Sequence, residues 1–252
     1  MKTVTISASI FILLLLLLVD RMPSGAQVTL WETYQSAGHQ AIEDRRVDDA
    51  ERLLLAAAKH IETVSPDDPR LANTLNDLGV LYGMQNRDIE AEPLFQRALA
   101  INETAFGRQH PSVVLTLQNL SVIYASQSKF SEAQRVARES LAISLELFGI
   151  FHPRSGSTCR TLATVYALEG DYGEAERFTE RSIIIFEHTL GERHPETTQS
   201  LEMLVRLMRT THRDREAQKL EARLNTLHQD SNPESALADE VDRNSDQNSD
   251  PE

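Results

Sequence analysis

A period of 42 residues constrains this chain more than any other feature. Pro69, Pro111, Pro153 and Pro195 stand 42 apart, and His110, His152 and His194 precede the last three. Gly107, Gly149 and Gly191 keep the same step, as do Tyr82, Tyr124 and Tyr166, and Ala91, Ala133, Ala175 and Ala217. Self-similarity at a fixed period of this length marks one supersecondary unit stacked several times, so the chain reads as an array rather than a single globule.

Each unit reads as two helices. After Pro69, residues Leu71, Leu75, Leu78, Leu81 and Tyr82 follow at steps of three and four and make one apolar helical face. Asp68 can cap this helix, and proline fits its first position, where no N–H is needed. A polar break over 83–88 leads to a second helix carrying Ala91, Leu94, Phe95, Ala98, Ile101 and Ala105. Phe106-Gly107 closes it, glycine being able to take the left-handed conformation that stops a helix. The next units repeat this with Val114, Leu117, Leu120 and Tyr124, then Leu162, Ala163 and Tyr166. Asp171 and Glu174 offer a capping-box-like pair at the second helix of the Pro153 unit. The unit from Pro195 lacks the tyrosine and the closing glycine and reads as a terminal cap. Before Pro69 lies a degenerate unit whose Ala50 stands 41 residues before Ala91, a register slip of one. The units are about 28–66, 69–110, 111–152, 153–194 and 195–228, five helix pairs in all.

The two ends differ from the array. Residues 1–26 read as a signal peptide, with Lys2 as a positive start, an apolar run over 4–19 and small residues in Ser24-Gly25-Ala26 ahead of a cut before Gln27. A run of 16 residues, apolar apart from Thr5, Ser7 and Ser9, is short for a membrane span, which takes about 20. The alternative is an uncleaved anchor, the only route to membrane contact. Either way the chain is expected to be exported, secreted or periplasmic. Residues 229–252 hold eight acidic residues and one arginine with almost nothing apolar, and read as a disordered tail.

Charge and composition exclude several function classes. The net charge is −13 for the whole chain, and −14 once 1–26 with Lys2, Asp20 and Arg21 is removed, so no basic stripe is available for nucleic acid. A single cysteine allows no intramolecular disulfide and supports no Cys/His zinc site. Cys159 takes the place of Leu75, Leu117 and Leu201 and reads as core. The His110, His152 and His194 row reads as opening-turn punctuation, because stacked units hold such positions about 10 Å apart while metal–nitrogen bonds are about 2 Å. Glu90, Glu132, Glu174 and Glu216 recur near second-helix N-termini, where the helix dipole favours carboxylates. No phosphate loop or nucleophile–base set is present, so no catalytic residue, metal or cofactor is expected and the chain does not read as an enzyme. Asn102-Glu103-Thr104 and Asn119-Leu120-Ser121 match the glycosylation sequon but are discounted, the second because it lies mid-helix.

The pattern L-x-x-L-G-x-x-Y over Leu75 to Tyr82, the run Glu90 to Ile101, and G-x-x-H-P resemble the tetratricopeptide repeat, in the 42-residue form seen in kinesin light chains. The resemblance covers about 69–210 well and 28–66 loosely. It implies an all-α, right-handed superhelical solenoid in which the first helix of each unit lines a concave groove for extended peptides or partner helices.

Groove candidates are therefore the first-helix residues off the apolar face. These are Asn73, Asn76, Asp77 and Val80; Gln118, Asn119 and Val122; Arg160, Thr161 and Thr164; and Glu202, Arg206 and Arg209. Asparagine amides donate and accept together, which suits a peptide backbone, and Asn76 and Asn119 sit on neighbouring first helices. The lysine clamp of carboxylate-binding relatives is missing from these faces. The expected function is an exported scaffold for a protein or peptide partner. The alternative is an assembly subunit of an envelope or secreted complex, joined through outer helices or the acidic tail.

Overall fold

The structure is a computed structural model that describes residues 24–229. The expected signal segment and acidic tail lie outside the described residues, except that Ser24 opens the first helix and Gln229 closes the last. Among the described residues there are ten helices and no strand. They are α1 (Ser24–Glu43), α2 (Val47–Val64), α3 (Pro69–Met84), α4 (Asp88–Phe106) and α5 (Pro111–Ser126), then α6 (Phe130–Phe148), α7 (Pro153–Glu169), α8 (Tyr172–Leu190), α9 (Pro195–Thr210) and α10 (Asp214–Gln229). Odd-numbered helices are the first helices of the sequence units. The chain forms two compact units, one up to Gln127 and one from Ser128, so the break falls within the third sequence unit.

In the first compact unit α1 packs on α2, α2 on α3, α3 on α4 and α4 on α5, with α3 also touching α5. Its core includes Tyr34, Leu54, Ile61, Leu71, Leu75 and Leu78. In the second, α6 packs on α7, α7 on α8, α8 on α9 and α9 on α10. Its core at the C-terminal end gathers Ile183, Leu201, Leu204, Met208, Leu224 and Leu227. The alanine row at positions 91, 133, 175 and 217 is fully buried in each case. Cys159 is buried as expected, and burial pushes its thiol up to about 11.

The periodic residues take definite roles. His110, His152 and His194 are N-caps: each Nδ1 accepts the backbone N–H two residues on, from Ser112, Arg154 and Glu196, at 3.1–3.2 Å. Asp68 does the same for Arg70 at 2.8 Å. Proline then occupies the first helical position, where the absent N–H costs nothing. The Phe106 and His110 rings stack at 4.1 Å, and Phe148 and His152 at 4.7 Å, which ties the end of one unit to the start of the next. Gly107, Gly149 and Gly191 have φ of 77°, 82° and 92°, but their ψ values of 169°, 176° and 163° place them outside the left-handed helical well. This extended, positive-φ region is essentially closed to residues with a Cβ, so the glycine is required for a different reason than expected. Asp171 accepts the Glu174 N–H at 3.2 Å, the forward half of the capping box.

The periodic tyrosines reach the second helix of the preceding unit. Tyr82 donates to Glu51 of α2 at 2.9 Å, Tyr124 accepts from Gln96 of α4 at 3.1 Å, and Tyr166 accepts from Arg138 of α6 at 2.5 Å. Three of the periodic glutamates also have ion-pair partners, Glu174 with Arg177 of its own helix and the other two with arginines that bridge to a second carboxylate. Arg87 binds Glu90 and Glu51, and three periods later Arg213 binds Glu216 and Glu176.

This network gives a pH prediction. The Arg87 guanidinium, and after it the Tyr82 hydroxyl, hold the Glu51 carboxyl below its ordinary value of 4.5, against the upward pull of burial. A group lowered on folding stabilises the fold above its unfolded value and loses that contribution as pH falls through the folded value. Between about pH 5 and pH 3 the thermal midpoint of Arg87→Met is therefore expected to fall less steeply than that of wild type. Equal slopes in a pH series of melts would contradict the assignment.

Candidate functional site

The first helices carry two polar rows, which meet between α1 and α3 and between α3 and α5. Gln35, Asn76, Gln118 and Arg160 occupy one register position, allowing for the slip of one in the first unit. Thr74, Thr116, Thr158 and Ser200 occupy the other at steps of 42, and all four are buried with at most 1% exposure. Each of these hydroxyl oxygens lies 3.0–3.2 Å from the carbonyl oxygen four residues back in its own helix.

In the first compact unit the rows are joined. Thr74 donates to Gln35 Oε1 at 2.9 Å and accepts from the Trp31 indole N–H at 3.0 Å. Asp77 accepts from Gln35 Nε2 and lies 2.8 Å from His39 Nε2. Asn76 is buried, and its amide donates to Ala72 O and Thr116 Oγ1, both at 3.0 Å. Asn102 of α4 donates to the same Thr116 oxygen at 3.2 Å. Asn76 therefore departs from the expected groove position: its donors link α3 to α5. Asn102 is fully buried, which removes its sequon from the surface. Asn73 and Val80 are exposed on α3, and Gln118, Asn119 and Val122 are half-buried on α5.

In the second compact unit Arg160 contacts Glu196 and donates to Gln199 at 2.7 Å, so it bridges α7 to α9. Arg209 forms a forked pair with Glu221 of α10 at 2.7 and 2.9 Å, which turns it toward a second helix and away from the α7–α9 face. Thr161 and Thr164 are half-buried and donate to carbonyls of their own helix. Glu202 and Arg206 are exposed on α9.

Two of the expected residues meet at a cavity. Thr164, Ala167 and Leu168 of α7, Tyr172 at the start of α8, and Met203, Arg206, Leu207 and Thr210 of α9 enclose about 360 Å³. Leu168 and Tyr172 are 49% and 36% exposed at its rim, while Met203 and Leu207 are buried in its floor. Arg206 makes no ion pair among the described residues, unlike Arg160, Arg209, Arg213 and Arg223 nearby in sequence. A seat of this kind takes an apolar side chain and offers a cation beside it. A second cavity, of about 380 Å³, lies along α1 and is lined by Trp31, Glu32, Gln35, Ser36, His39, Gln40 and Glu43. One helix supplies all of that lining and Trp31 is its one large apolar side chain, so it offers no comparable seat.

Sequence reasoning overlooked the buried hydroxyl row and Leu168, Tyr172, Met203 and Leu207. The 42-residue step would have exposed the hydroxyls, since Thr74, Thr116, Thr158 and Ser200 keep it as strictly as the prolines. The cavity residues carry no such signal. Among the described residues no three His, Cys, Asp or Glu side chains are grouped to hold a metal ion, and no helix is long and apolar enough to cross a membrane.

Comparison with known proteins gives one family. The tetratricopeptide repeat matches residues 33–104, 87–146 and 155–224. No curated protein matches the chain. Among solved structures, BtubC (BKLC) from P. vanneervenii is 20% identical, with a TM-score of 0.68 over 88% of each chain. Nearly identical TPR-like repeats attributed to a kinesin light chain of Podosopora anserina are 21% identical. Their TM-score is 0.63 over 80% of this chain and 96% of that one. A Rap protein complexed with Competence and Sporulation Factor is 15% identical, with a TM-score of 0.69 over 87% of this chain. The match spans only 58% of the Rap protein. At these identities the likeness shows a shared fold.

Proposed function

The chain belongs to the tetratricopeptide repeat family, and on that premise we propose that it is an exported scaffold holding an extended segment of a protein partner against its first helices. Scaffolding of protein–protein interaction is the family's role. The finer reading rests on one observation, the α7–α9 cavity with its apolar floor and Arg206 at its side. A Rap protein of similar fold is complexed with Competence and Sporulation Factor, which supports a binding role for this fold. The preferred ligand carries a large apolar side chain with a carboxylate close by, because no acid among the described residues pairs with Arg206.

A peptide display selection against the full chain tests the site. Wild type is expected to enrich segments pairing a large apolar residue with Asp or Glu, and Arg206→Glu to shift the flanking preference to Lys or Arg. Identical enrichment from both proteins would remove Arg206 from the site. Export is tested separately by N-terminal sequencing of the protein outside the cytoplasm. A chain that starts at Gln27 supports cleavage, and a membrane-bound chain that keeps residues 4–19 supports the anchor.

A further inference from the structure

The α7–α9 cavity and the acidic stretch beyond α10 have complementary chemistry. The cavity lining holds one cation, Arg206, and no acid. Glu202, one turn before Arg206 on α9, is exposed and forms no ion pair with it among the described residues. The other arginines of these helices are paired, Arg160 with Glu196 and Arg209 with Glu221. Residues 230–252 lie outside the described residues, and their sequence carries eight acids against one arginine. Two branched apolar residues interrupt that charge, Leu237 and Val241, in the run Leu237-Ala238-Asp239-Glu240-Val241-Asp242. Val241 has a carboxylate on either side. This is the pairing that suits an apolar floor of Met203 and Leu207 with a cation beside it.

On the premise of the seat proposed at Arg206, we infer that residues 237–242 are an intramolecular ligand of that seat, with Val241 on its apolar floor and the flanking carboxylates at Arg206. The chain is long enough. Arg209, three residues after Arg206, pairs with Glu221 of α10, and α10 ends at Gln229, eight residues on. Eight residues of helix rise about 12 Å and packed helix axes stand about 8–10 Å apart, so Gln229 lies on the order of 30 Å or less from Arg206. The twelve residues from Gln229 to Val241 extend to about 40 Å. Tethering makes a weak contact sufficient. A short tether presents its segment at about millimolar effective concentration. A segment that would bind at about 100 µM as a free peptide then fills about nine-tenths of the seats, and an outside ligand binds about tenfold more weakly. The acidic stretch therefore sets a threshold that a protein partner must exceed to enter the seat.

The test uses the full chain and a fluorescent peptide with the sequence of residues 234–245. In a tail variant, Glu240→Gln, Val241→Ser and Asp242→Asn are made together in the full chain. The probe is expected to bind this variant about tenfold more tightly than wild type, because the seat is no longer filled from within. Adding Arg206→Glu to the variant is expected to weaken the probe by at least about tenfold. Mild oxidation of the full chain carrying Leu168→Cys and Val241→Cys is expected to close a disulfide within one chain, seen as a monomer of altered mobility; Cys159 is buried and does not compete. A wild-type chain that binds the probe as tightly as the tail variant overturns the inference and leaves the seat standing, and so does a link that forms only between chains. A tail variant that ignores the probe but binds display-selected peptides through Arg206 also overturns it alone. Loss of Arg206 dependence for the probe and the selected peptides together removes the seat, and the inference with it.

Discussion

Thr116→Val is expected to lower the unfolding free energy by about 2–4 kcal/mol, read as a fall in the urea midpoint at constant slope. The substitution preserves shape and removes one oxygen. That oxygen is fully buried and accepts from two buried amides, Asn76 at 3.0 Å and Asn102 at 3.2 Å. Each donor left without an acceptor in the interior costs about 1–3 kcal/mol, and no solvent reaches this cluster to replace the bond. Asn76 keeps one donation to Ala72 O, so the larger share of the loss falls on Asn102. The Oδ1 atoms of both asparagines are buried and lack a hydrogen-bond partner among the described residues, so flipping either amide would bury an unpaired N–H in place of an unpaired oxygen. The asymmetry supplies a control. Adding Asn102→Leu to Thr116→Val removes the orphaned donor and is expected to regain stability relative to Thr116→Val alone. If Thr116→Val costs no more than an exposed threonine such as Thr104, the two amides are not held by this hydroxyl.

That cluster shows where sequence reasoning stopped. The period located the described helices from Pro69 onward, because proline, glycine, tyrosine and alanine each answer a demand that one residue type meets best. Proline opens a helix without wasting a donor, and glycine alone enters the φ and ψ of the closing turn. The turn between the two helices of a unit answers to geometry as well, yet hides its beat. Asn86, Ser128, Gly170 and His212 all have φ between 58° and 92° at steps of 42, with four different side chains. A single residue at positive φ costs only about 1–2 kcal/mol, so several types are tolerated and no sequence signal survives. The site was legible to a similar degree. First-helix positions could be placed on or off the apolar face, but Asn76 and Arg160 looked like groove residues because the helix period reports direction and not neighbours. What neutralises a polar side chain is the next first helix, 35–42 residues away, as with Gln35 at Asp77 and Arg160 at Glu196. Arg206 reads the same as Arg209 in sequence, and only the pairing of Arg209 with Glu221 separates them.

Gly79→Ala is expected to cost about 1–3 kcal/mol, and Gly79→Val more, although both substitutions raise intrinsic helix propensity or change it little. Gly79 is the glycine of the L-x-x-L-G-x-x-Y motif and sits in mid-helix on α3 with ordinary helical geometry. A Cβ at this position would meet the Phe95 ring of α4 at 2.6 Å to Cζ and 2.8 Å to Cε1 and Cε2. Phe95 is 1% exposed, so the ring cannot swing into solvent and the two helices must separate instead. Helix propensity alone predicts the opposite sign, a gain of about 1 kcal/mol for Gly→Ala at a helix interior, so the measurement separates the two causes cleanly. The double-mutant cycle completes the argument. Phe95→Leu is destabilising by itself through the cavity it leaves, but Gly79→Ala made in that background is expected to be neutral or stabilising, because the ring edge is gone. The second compact unit contains an independent case. Gly156 of α7 would place its Cβ 2.8 Å from Phe186 Cε1 and 3.1 Å from Ile185 Cγ2 of α8, so Gly156→Ala is expected to destabilise likewise. Additive losses in the cycle, with Gly79→Ala costing the same with and without the Phe95 ring, would refute close helix approach as the reason for glycine in this motif.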